Sequence, residues 1–193
     1  MTLFAGNYHV KYTGTIHLRS LYVLIHDWLI DMEYLDMSGP DFPENLYSLS
    51  KSQPGGEEMW IWWRPVYAPQ SNPFYRYVLR ITFHSFRMNE SEAVRGHRKI
   101  KVHKGEHKVI ITAMLETDYK NAWQKSGFMR YFLDLFKNRI IKNDLNKQKA
   151  HLLGHVADLQ KKIKEFYGSA HWEDTSRPFM PKLGMKEEEP VGP

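Results

Sequence analysis

Apolar and polar residues alternate from Tyr8 to Ile16, with Tyr8, Val10 and Tyr12 set against His9, Lys11 and Thr13. A period of two predicts a strand over 8–16. The period then changes. Leu18, Leu21, Tyr22, Ile25, Trp28, Leu29 and Met32 recur at steps of three and four, which predicts an amphipathic helix over 17–33 with Asp27 and Asp31 on its polar side. Residues 36–56 hold Gly39, Pro40, Pro43, Pro54, Gly55 and Gly56. They read as loops around a short strand at Leu46–Leu49.

Four strand-like runs follow, over 57–67, 74–87, 92–104 and 107–117. In the second, Tyr75, Tyr77, Leu79, Ile81 and Phe83 share one face; in the last, Val109, Ile111, Ala113 and Leu115 do. Lys104-Gly105-Glu106 between the last two runs reads as a tight hairpin. Helical spacing returns over 128–142. It returns again from Leu145 through Leu152, Val156, Leu159, Ile163 and Phe166, with Asp144 as the expected N-cap and Gly168 as the stop. The two segments fit either two helices or one.

Strand, helix, meandering antiparallel sheet and one or two C-terminal helices make an α+β domain over 1–168, with one sheet face covered by helices. This element order resembles that of helix-grip folds, in which a long C-terminal helix lies in the curve of a sheet. The resemblance implies an apolar ligand held between sheet and helix. Residues 169–193 form an extended arm with Pro178, Pro181, Pro190, Pro193 and an acidic Glu187–Glu189 run.

Composition narrows the chemistry. The 193 residues contain no cysteine, which excludes disulfides, thiolate metal sites and cysteine nucleophiles and suits a reducing compartment. The first residues lack a basic and apolar leader, and no apolar stretch is long enough to span a bilayer. The expectation is a cytoplasmic protein, or one assembled into a particle, without membrane contact. The net charge of +5 is concentrated at Arg95, Arg98, Lys99, Lys101, Lys104 and Lys108, against Glu106 alone within that stretch. Such a cluster can neutralise several phosphates. A solvated outer strand face explains it equally well.

The aromatic run Trp60, Trp62, Trp63, Tyr67, Phe74, Tyr75, Tyr77 has two readings. Trp60 and Trp62 dock a partner if their face is open, and they are core if helices cover it. In the arm, Trp172, Phe179, Met180 and Leu183 are spaced by prolines as in an extended docking peptide. His97, His103 and His107 lie near the expected turn but, set outward among lysines, form no metal site. Glu116 and Asp118, with Glu57, would serve acid–base chemistry only if they converged in a cleft. No phosphate loop, nucleophile elbow or H-E-x-x-H occurs.

The sequence therefore points to a cofactor-free, non-enzymatic interaction protein. It would be a subunit of a larger assembly such as a virus particle, joined to protein subunits or to copies of itself through Trp60, Trp62 and the arm. A nucleic-acid-binding module using 95–108 is the alternative, and a helix-grip binder of an apolar ligand the third.

Overall fold

In the computed structural model, residues 2–34, 44–52, 56–69, 74–95, 98–120 and 141–169 are described. The opening alternation becomes β1, Thr2–Ile16, and the apolar stripe becomes α1, Leu18–Asp31. The strands β2 (Glu44–Ser52), β3 (Gly56–Trp63), β4 (Val66–Tyr67), β5 (Tyr75–Arg95) and β6 (Arg98–Thr117) follow, then a long helix α2, Ile141–Ser169. The strands form one antiparallel sheet in the order β1-β6-β5-β3-β2, with β4 paired to β5. The architecture is the α+β arrangement that the periodicities predict.

Both helices lie on one face of the sheet. Leu21, Ile25, Trp28 and Leu29 of α1 are buried with Leu152, Val156, Leu159 and Ile163 of α2, against Leu79, Ile81, Val109, Ile111 and Leu115. Burying each such side chain stabilises the fold by about 1.5–3 kcal/mol. Asp27 and Asp31 stay exposed. α2 packs on β1 and β6, at one side of the sheet, and touches α1. Among the described residues, no helix covers the opposite face.

Pro65 separates β3 from β4. It has no N–H to donate to a ladder, although its carbonyl still accepts from Leu79 N at 3.0 Å. The short strand expected at Leu46–Leu49 is the longer β2 and forms one edge of the sheet.

Two local expectations are corrected. The runs 92–104 and 107–117 are not joined by a hairpin at Lys104-Gly105-Glu106; both belong to β6, and the turn lies between Arg95 and Arg98. Gly105 instead faces a bulge in β5. Pairing steps from Phe86↔Glu106 to Asn89↔Lys104, and Arg87 within the bulge takes φ 53°. A Cβ at Gly105 would come within 3.0–3.1 Å of Phe86 O, Arg87 O and Met88 Cα. The glycine lets the bulged backbone pass close by, a role with the same sequence signature as a turn. Asp144 is not an N-cap, because α2 is already helical at Ile141; its carboxylate lies in the first turn and hydrogen-bonds Tyr75. The helix expected over 128–142 falls largely outside the described residues, as does the arm from 170 onward.

Candidate functional site beneath the first helix

The first turn of α1 stands over the β2–β3 side of the sheet, and the space between them is not filled. A half-enclosed cavity of about 300 Å³ remains there. Its floor is apolar: Met59 and Ile61 of β3 with Phe83 and Met88 of β5, all nearly inaccessible to solvent. Leu18 and Tyr22 of α1 form one wall. Tyr47 and Leu49 of β2 form the lip, and they are 57% and 45% exposed. Two large apolar side chains left in water at the rim of an apolar cavity are what a ligand would cover.

Three polar residues, Arg19, Glu57 and His103, complete the lining. Glu57 is held by Lys51, Oε1 to Nζ at 2.7 Å. His103 Nδ1 is shut off from water and has no hydrogen-bond partner among the described residues. Burial lowers the imidazole pKa, with nearby Glu90 and Glu57 pulling the other way, so the ring is neutral near pH 7. An unmet buried polar atom costs about 1–3 kcal/mol.

One turn deeper, His107 is 1% exposed, which corrects the expectation that His103 and His107 both face outward. His107 shares the odd numbering of Val109, Ile111, Ala113 and Leu115, so the pleat points it inward with them. Its Nε2 donates to His103 O at 3.3 Å, and Ser85 Oγ donates to Nδ1 at 3.0 Å. Burial pushes its pKa down to about 4. Among the described residues no group of three or more metal-ligating side chains forms. His97 lies outside them.

A second polar cluster, between α2 and the sheet, was not anticipated from the sequence. Tyr77 donates to Gln148 Oε1 at 2.5 Å, and Tyr34 Oη lies 3.1 Å from His155 Nδ1. Tyr67 leans on both tyrosines, at ring distances of 5.5 and 5.6 Å, and His151 stacks edgewise on His155 at 4.5 Å. Burial raises the Tyr77 hydroxyl to about 12, and burial, then His151, lowers His155. Every hydroxyl with a named partner here is a satisfied core tyrosine. The seam fixes α2 to the sheet and opens onto no cavity described here.

The remaining candidate residues separate by face. Trp63 is fully buried, whereas Trp60 and Trp62 point to the helix-free side, and Trp62 is 46% exposed. Trp60 stacks on His84 at 3.7 Å and 15°, and His84 on Phe86 at 5.3 Å and 22°. Glu58 accepts from Trp60 Nε1 at 3.0 Å and pairs with His84 Nε2 at 2.8 Å. The rings stand side by side and cover one another, so they offer edges rather than flat faces.

The basic stretch is less isolated than its sequence. Lys99 pairs with Glu92 at 3.2 Å and Lys101 with Glu90 at 2.7 Å, both across the hairpin. Lys104 and Lys108 alternate onto the Trp60 side, and Lys108 sits opposite His84. The side chains of Arg95 and Arg98 lie outside the described residues, as do Trp172, Phe179, Met180 and Leu183.

The three carboxylates do not converge. Glu116 pairs with Arg76, whose Nε donates at 2.8 Å, and is opposite it in register, whereas Glu57 is opposite Met88. Those β5 positions are separated by roughly 35–40 Å of strand. Among the described residues, no helix is long and apolar enough to cross a membrane.

Comparison with protein families, with curated proteins and with solved structures finds no match.

Proposed function

We propose that the protein binds a small apolar ligand in the cavity between α1 and the sheet. One observation carries the reading: an apolar cavity of about 300 Å³ opens between α1 and the sheet, with the large apolar side chains of Tyr47 and Leu49 left exposed at its lip. Ligand sites are typically concave, mostly apolar and supplied with a few convergent polar groups, at volumes of roughly 300–1,000 Å³. The cavity lies on the face that the helices cover, as in a helix-grip binder, but it is roofed by α1 rather than by α2. The neutral probe N-phenyl-1-naphthylamine is expected to bind saturably, one per chain, with enhanced fluorescence. Leu49→Trp, placed on the exposed lip, should weaken it about tenfold or more without moving the melting temperature. Unsaturable binding, or binding unchanged by Leu49→Trp, would count against the pocket.

A second reading rests on Trp62. This side chain, with Phe4 and Val66, is exposed, and Trp62 lies on a sheet face free of described helices. A subunit of a larger assembly would dock there. Trp62→Ser should then abolish self-association or capture of a partner subunit in sedimentation runs, while leaving probe binding intact. If the native protein sediments as a monomer and enriches no partner, this second reading fails. Nucleic-acid binding through 95–108 is less favoured, because Glu90 and Glu92 already pair two of its lysines.

A further inference from the structure

The polar end of the cavity is not symmetric in charge. Arg19 stands at its mouth, exposed to solvent, and makes no ion pair among the described residues. The one carboxylate in the lining, Glu57, is already neutralised by Lys51. The wall carrying Arg19 is the first turn of α1. That turn contains no acidic residue. The partial positive charge of a helix start is therefore left without its usual offset. Beneath these groups the floor of Met59, Ile61, Phe83 and Met88 has no charge.

From this arrangement, and resting on the binding reading above, we infer that the ligand is a small monoanionic amphiphile. Its apolar body lies on Met59, Ile61, Phe83 and Met88, and its carboxylate-type head lies at the mouth against Arg19. The head stays partly hydrated there, which avoids the cost of burying a charge. The guanidinium supplies charge-assisted hydrogen bonds to it. The tail length is limited by the volume to roughly that of a medium-chain fatty acid or a single-ring aromatic acid. A cationic amphiphile would place like charge against Arg19 and the helix start, and an uncharged one would forgo both.

The test is isothermal titration of the full chain with octanoate, 1-octanol and octylamine, which share a tail and differ in head group. At pH 7.5 and low salt, octanoate should bind about tenfold more tightly than octanol, and octylamine most weakly. Arg19→Gln, an exposed substitution, should bring octanoate to within about twofold of octanol. Added salt should erode the octanoate advantage alone. If octanol binds as tightly as octanoate, or if the preference survives Arg19→Gln, the anionic head is wrong and the apolar-ligand reading stands. If octylamine binds best, the charge assignment is reversed and the inference fails. If none of the three binds, both the inference and the binding reading fall.

Discussion

Replacing Trp28 by alanine is expected to remove about 3–5 kcal/mol of stability, the usual range for a buried tryptophan truncated to alanine. The indole is 2% exposed, stacks on Tyr34 with ring centroids 5.8 Å apart, and donates from Nε1 to Asp158 Oδ2 at 2.7 Å. It is thus the point where α1, α2 and the residue following α1 meet. A chain of this size should melt about 10 °C lower or more. Two companions separate packing from hydrogen bonding. Trp28→Phe keeps a ring and loses the donor, for about 1–2 kcal/mol. Asp158→Ala, at an exposed position, keeps the ring and removes only its acceptor, so it should cost about 1–3 kcal/mol, the loss of orphaning the indole N–H. If Trp28→Ala melts within about 2 °C of the native protein, α1 is not seated on α2 and the core described above is wrong.

Acid is expected to destabilise the protein well before its carboxylates protonate. His107 titrates at about 4 in the folded chain, against 6.5 when unfolded. Between those values the unfolded chain binds a proton that the folded chain does not. Stability therefore falls as pH drops from about 6.5 toward 4, is level above that window, and changes no further through this group below it. At 1.36 kcal/mol per unit, the full effect is on the order of 3 kcal/mol. His103 and His155 are shifted in the same direction by burial and steepen the slope. Urea melts at pH 4.5, 5.5, 6.5 and 7.5 read this directly. His107→Gln should be less stable at pH 7.5, yet its stability should vary distinctly less between pH 6.5 and 4.5. An unchanged slope would mean that His107 is reached by protons in the folded state.

What the sequence makes legible depends on whether the signal is local. The stripe Leu21, Ile25, Trp28, Leu29 is a property of one helix face, and those four residues are the ones buried on α1. Alternation likewise assigns the two sides of β5 and β6. It does not say where a strand ends. Lys104-Gly105-Glu106 suits a turn as well as it suits the residues facing a bulge, and the deciding fact is an extra residue near Arg87 on the partner strand. His107 was legible by parity with Val109 but is easily misread, because three lysines and another histidine surround it in the chain. The tyrosine–histidine seam had a readable half: His151 and His155 are one turn apart, on the flank of the stripe that packs inward. The cavity had none. Its lining comes from α1, β2, β3, β5 and β6, and only the pairing of β1 with β6, β6 with β5, β5 with β3 and β3 with β2 brings Leu18, Leu49 and His103 together.

The pairing of β1 with β6 also sets a clock. Thr2 finds its partner at Glu116 and Ile16 at His103, so β1 finds its neighbour only when β6 has been made. During synthesis at about 5–20 residues per second, β1 waits roughly 5–20 s with no strand beside it. Its interim neighbours can only be α1, a chaperone, or the β1 of another nascent chain. Contacts this remote in sequence also place the domain among slow folders. A circular permutant that opens the chain between Ile16 and Leu18 and joins the old termini would make β1 after β6, and refolding should show whether that wait limits the rate.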